Sequence, residues 1–144
     1  MSKRLTRLAG LLALLPVFAL GPVPATASAA PGPCLDNGVD GVVTGSPANV
    51  LLPSASGTYT TTKRCRDINF ILRSSSGDER FQANIRVCFV RAGYCQSAWK
   101  YYYDDENNGW MVIASNVKDG TTFRLEFQFY EPTFGSTYWT SIAF

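Results

Sequence analysis

The chain contains no histidine among its 144 residues. That absence removes Ser-His-Asp and Cys-His nucleophilic catalysis, histidine acid–base chemistry and His-ligated zinc. Phosphate-cradling patterns such as G-x-x-x-x-G-K-[ST] are also absent. Beyond residue 29 no segment sustains a 3.6-residue apolar period, which argues against a helical domain. No run in that part is apolar enough to cross a bilayer. Residues 139–144 lack the apolar tail of a stop-transfer or lipid-anchor signal.

What the sequence does contain begins with residues 1–29, which read as a secretory signal peptide. Lys3, Arg4 and Arg7 form a positive start, residues 8–20 an apolar run, and Ala27, Ser28 and Ala29 a small-x-small cleavage site. Cleavage after Ala29 leaves 115 of the 144 residues, enough for one domain that buries roughly 65% of its unfolded surface. The whole chain carries 13 Lys and Arg against 11 Asp and Glu, but three of the cations sit in the leader. The remainder is 10 against 11, a net charge of −1. This near-neutral balance removes the electrostatic case for nucleic acid or an anionic membrane as partner. The expected location is secreted and extracellular.

Four cysteines, Cys34, Cys65, Cys88 and Cys95, fit two disulfides in an exported chain of this size. Residues 90–93 between Cys88 and Cys95 read as a hairpin loop, with Gly93 at positive φ. That places Cys88 opposite Cys95 at a non-hydrogen-bonded position, where Cα atoms lie about 4.5 Å apart. Cys34 then pairs with Cys65. The rival, a four-cysteine metal site, does not suit an oxidising compartment, and no metal or other cofactor is expected.

Residues 30–47, rich in Gly, Pro and Asp, read as an N-terminal arm or loop; residues 48–144 read as the folded domain. Strands are predicted over 48–52, 57–62, 67–73, 81–90, 94–103, 110–115 and 136–144. The clearest places Phe123, Leu125, Phe127 and Phe129 inward and Arg124, Glu126, Gln128 and Tyr130 outward. Ile85, Val87, Phe89, Tyr94 and Ala98 are expected to form a core face. Seven or eight strands with regular turn signals predict an all-β fold, an antiparallel β-sandwich of jelly-roll or Ig-like type.

Extending the Cys88–Cys95 pairing without a bulge sets Trp99 opposite Asn84 and Tyr101 opposite Gln82. Trp99, Tyr101 and Tyr103 then form an aromatic stripe beside Arg86 and Asn84 on the outer face. Flat apolar rings flanked by amides and a guanidinium suit a sugar ring or a protein partner. One extra residue in 96–103 would instead send this stripe into the core and bring Tyr102 out.

Other clusters carry less. Asp104, Asp105, Glu106, Asn107 and Asn108 offer oxygen ligands for calcium, but without EF-hand spacing, and Asn108–Gly109 also makes a turn. Lys63, Arg64 and Arg66 are the one basic cluster, expected on a solvated sheet edge that resists aggregation. No family motif matches. The leader and the Ala/Gly/Pro bias of residues 1–33 resemble small exported proteins of high-GC Gram-positive bacteria. A two-disulfide sandwich of this length is similar in outline to the enediyne-carrying apoproteins of that group; cysteine spacing and strand sequences differ, and no site is carried over.

The sequence thus leads to a non-catalytic sandwich that binds an extracellular carbohydrate or cell-wall polymer through Trp99, Tyr101, Tyr103, Arg86 and Asn84. The alternative is a protein-binding effector or enzyme inhibitor that uses the disulfide-braced loop 90–93. A third reading, a hydrolase, would need a carboxylate pair such as Asp104 and Glu106.

Overall fold

The structure, a computed structural model, describes residues 33–54, 56–77, 80–104 and 109–144. The leader at 1–29 and residues 105–108 lie outside them. Among the described residues there are ten strands and two short 3₁₀ turns, with no α-helix. The strands are β1 (Val39–Thr44), β2 (Val50–Leu52), β3 (Tyr59–Thr60), β4 (Ile68–Ser75) and β5 (Gln82–Phe89). They continue as β6 (Tyr94–Cys95), β7 (Lys100–Tyr103), β8 (Met111–Ala114), β9 (Thr122–Phe129) and β10 (Thr137–Ala143).

All pairings are antiparallel, and the strands form two packed sheets. One has the order β1-β10-β4-β8. In the other, β2 and β3 share one edge of β9, β5 lies on its other side, and β6 and β7 share the far edge of β5. Counting each interrupted edge as one column gives eight columns, ordered 1-8-3-6 and 2-7-4-5. Only β5 and β6 join consecutive columns of one sheet as a hairpin; every other step crosses to the opposite sheet. This is the double-sheet wrapping of a jelly roll. Both edges of the second sheet are short and broken, which limits edge-to-edge pairing with other chains.

Alternation builds the core. Phe123, Leu125, Phe127 and Phe129 are buried as expected, and so are Ala83, Ile85 and Val87 from β5. From the first sheet come Val43, Ile68, Phe70, Tyr138 and Ile142. Phe81 sits at the centre of an aromatic cluster, edge-on to Tyr138 at 4.9 Å and to Tyr102 at 5.5 Å. Truncating a buried ring of this kind costs about 3–5 kcal/mol. The Tyr102 hydroxyl spans the sandwich and accepts the Leu72 N–H at 3.3 Å.

Both disulfides pair as expected. Cys34–Cys65 ties the segment before β1 to the segment before β4, and Cys88–Cys95 braces the hairpin with a Cα separation of 3.8 Å. Gln96 N–H donates to Val87 O in the neighbouring pair, so Cys88 and Cys95 occupy a non-hydrogen-bonded site. Gly93 has φ 70°, and its N–H caps Phe89 O at 3.0 Å.

Four expectations are corrected. Residues 39–44, read as part of an arm, form β1, which pairs along its whole length with β10. The single strand over 94–103 is two strands with residues 96–99 looped out between them. Tyr94 and Ala98 are exposed: Tyr94 pairs with Phe89 at the rim of the sheet, and Ala98 lies in the looped-out segment. The Lys63, Arg64 and Arg66 cluster lies in the loop after β3, held by Cys65, and not on a strand edge.

Candidate functional site

The outer face of the second sheet gathers side chains from β5, β7 and β9. Between the Cys88–Cys95 and Ile85–Lys100 pairs the partner of β5 gains two residues. Side chains alternate with a period of two, so the insertion shifts the register and keeps the face. Tyr101 therefore lies opposite Asn84 and Tyr103 opposite Gln82, two positions from the sequence-based register. Tyr102 is buried and Tyr101 is 42% exposed. Lys100 pairs with Ile85 but lies on an edge strand and reaches solvent.

Tyrosines and amides interlock on this face. Gln82 Nε2 donates to the Tyr101 hydroxyl at 2.6 Å. Asn84 Nδ2 donates to Gln128 Oε1 at 3.3 Å and to the Tyr130 hydroxyl at 3.2 Å. The Tyr101 ring runs nearly parallel to Tyr103, with centroids 6.4 Å apart, and edge-on to Tyr130 at 5.9 Å. Tyr130 is 39% exposed. The result is a contiguous aromatic patch in which amides orient the Tyr101 and Tyr130 hydroxyls and still carry free donors and acceptors.

Trp99 stands beside this patch, just before β7. The Arg86 guanidinium carbon lies 4.1 Å from the centroid of its ring, a cation–π contact. Arg86 also bonds Glu126 Oε2 through Nε at 2.6 Å and donates to Gln96 O at 3.3 Å. Glu126 Oε1 accepts from Asn49 Nδ2 at 2.8 Å. Arg86 is thus committed to holding Trp99 and Glu126, while Asn84 serves the tyrosines. The five residues singled out from sequence share one face. Sequence reasoning missed Gln128 and Tyr130 as partners: β9 alternation placed them outward, but nothing local says that β9 lies beside β5.

At the hairpin end of the same face is a depression of about 390 Å³. Leu51, Val90, Tyr94 and the Cys88–Cys95 disulfide give it apolar walls, with Arg124 and Glu126 as its charged lining. Cys88 and Cys95 are bonded to each other, so neither sulfur is a thiolate ligand for a metal. Of the proposed carboxylate pair, Asp104 is described and Glu106 lies outside the described residues, as does most of the calcium-type cluster at 104–108.

The opposite sheet has an exposed aromatic of its own. Trp139, 43% exposed, pairs with Val42 on the outer face. Arg73 is the extra residue at the β4 bulge, between the partners of Trp139 and Thr140. Its Nε donates to Ser141 Oγ at 3.0 Å, its guanidinium lies 5.2 Å from the Trp110 ring centroid, and Ser141 donates to Asp40 at 2.8 Å.

No protein family, curated protein or solved structure matches this chain.

Proposed function

We propose that this protein is a secreted, non-catalytic jelly-roll module that binds an extracellular carbohydrate or cell-wall polymer on the outer face of its second sheet. The observation that carries this reading is the Tyr101–Tyr103–Tyr130 patch, with Gln82, Asn84 and Gln128 threaded between its hydroxyls. Sugar rings offer an apolar C–H face and a rim of hydroxyls, which exposed aromatic faces and nearby amides complement. Two disulfides suit an oxidising extracellular compartment, and no helix among the described residues is long and apolar enough to cross a membrane. The leader-like residues 1–29 add to the case for export.

Pull-down on a panel of insoluble polysaccharides and cell-wall preparations tests it. The expected result is retention on at least one polymer and about a tenfold loss of affinity in Tyr101→Ala or Tyr130→Ala, as for a central aromatic contact. No retention, or retention unchanged in both variants, would overturn it.

One observation favours a second reading, an inhibitor of an extracellular enzyme. Tyr94 is 59% exposed, and Val90 is exposed beside it, on a hairpin made rigid by Cys88–Cys95. A rigid loop loses little freedom on binding. Inhibition of secreted hydrolases that is lost in Val90→Asp would favour this reading over polymer binding.

A further inference from the structure

We propose that the depression at the hairpin end of the second sheet is a binding site for a carboxylate carried on an apolar body, with Arg124 as its anion-binding residue. Arg124 faces Cys88 across the strand pair, and its side chain is only half-exposed. Its Nε is shielded from solvent and has no hydrogen-bond partner. Among the described residues Arg124 makes no ion pair. A shielded guanidinium N–H without an acceptor is uncommon, because desolvated donors are normally paired.

No group that lines the depression accepts from Arg124 Nε. Glu126 is the one acidic side chain that lines it, and its oxygens accept from Arg86 and Asn49, not from Arg124. Arg86 and Arg124 against Glu126 leave this corner one positive charge in excess. A planar guanidinium fork matches a carboxylate in two parallel hydrogen bonds. Arg124, the one cation of the lining, suits a monoanion. The walls set the rest of the ligand: Leu51, Val90, Tyr94 and the disulfide present mainly carbon and sulfur. A volume of about 390 Å³ is within the range of small-molecule pockets.

The proposal is independent of polymer binding, because it is tested with a small probe. Phenylacetate is titrated into the folded, oxidised protein and followed by NMR, including the Arg124 Nε–H resonance. Phenylacetamide, the neutral isostere, and glucuronate, a carboxylate without an apolar body, are run alongside. Expected is saturable movement of the Arg124 and Tyr94 signals by phenylacetate. Its affinity should exceed those of phenylacetamide and glucuronate by about tenfold or more, the scale of one charge-assisted hydrogen bond or a few buried carbons. Arg124→Gln should abolish the preference over the amide, and Tyr94→Ala should weaken phenylacetate severalfold.

Equal binding of amide and acid, or an Arg124 Nε–H that does not move at saturation, overturns the anion site. Glucuronate binding as tightly as phenylacetate overturns the apolar-body assignment. The Nε–H readout on the unmodified protein keeps the test decisive even if Arg124→Gln folds poorly.

Discussion

Val87 donates its backbone N–H to the side-chain carbonyl of Gln96 at 2.9 Å, where a neighbouring strand would ordinarily offer a backbone carbonyl. Gln96 returns the bond through its own N–H to Val87 O at 2.8 Å. Its Nε2 reaches Ile113 O at 3.4 Å. One side chain therefore closes the last rung beside β6 and frees its own carbonyl for Arg86. The chain leaves the sheet over 96–99 without stranding the donor of a fully buried residue. The loop-out carries Trp99 over Arg86 and returns Tyr101 to the outer face.

Gln96→Ala removes the acceptor for the backbone N–H of Val87, a fully buried residue. The expected loss is about 1–3 kcal/mol in urea unfolding, the cost of an unsatisfied buried donor. Amide exchange at Val87 should accelerate in step. An unchanged midpoint together with unchanged exchange at Val87 would mean that the β5–β6 rung does not depend on this side chain.

Arg86 and Glu126 bond at 2.6 Å with side chains 24% and 14% exposed. Arg86→Leu leaves Glu126 half-buried with one acceptor unpaired and uncovers the Trp99 ring. Solvent access moderates the cost to about 1–3 kcal/mol, below that of breaking a fully buried pair. Arg86→Leu with Glu126→Leu should be more stable than Arg86→Leu alone, because no charge is left behind. A double-mutant cycle with zero coupling would contradict the pairing.

The sequence carried the faces of β5 and β9 but not the registers of the second sheet. Face assignment needs only the parity of alternation, so Tyr101 outside and Tyr102 inside were legible from the Cys88–Cys95 anchor only as one of two orientations, the other following from a one-residue bulge. The shift of two residues was not, because Gln96 replaces a backbone partner with a side chain and leaves no pattern in hydrophobicity. β1 was hidden for a different reason. Val-Asp-Gly-Val-Val-Thr is short, lies among Gly and Pro, and becomes a strand through pairing with β10, about a hundred residues away. The isolation of Arg124 was unreadable too, since it depends on Glu126 being claimed from both sides by Arg86 and Asn49.

The two disulfides close loops of different length, with sequence separations of 31 for Cys34–Cys65 and 7 for Cys88–Cys95. The chain-entropy relation assigns about 3.7 kcal/mol to the longer loop and about 2.4 kcal/mol to the shorter. Paired Cys→Ala replacement at 34 and 65 should therefore lower stability more than at 88 and 95, by roughly 1 kcal/mol. The shorter bridge should matter more for the Arg124 depression, since it forms one wall. The reverse order of stabilities would show that native-state contacts of the hairpin outweigh loop closure.

Tyr102 couples the sandwich to alkaline pH. Burial raises its pKa above the ordinary 10.0; Asp104 adds to the rise, while the Leu72 N–H and Arg73 oppose it. Tyr59 is raised by burial as well. The folded state therefore holds these phenolic protons more tightly than the unfolded chain does. Their stabilising contribution is complete below pH 10.0 and is lost as pH rises through the folded values. Urea midpoints should fall above pH 10, and Tyr102→Phe should flatten that decline because phenylalanine has no proton to lose. The same substitution removes the acceptor for Leu72 N–H and should cost about 1–2 kcal/mol at pH 8. Tyr59→Phe should flatten the decline without that loss, since it carries no bond across the sheets. An alkaline slope identical in the parent and both variants would place the sensitivity in other groups.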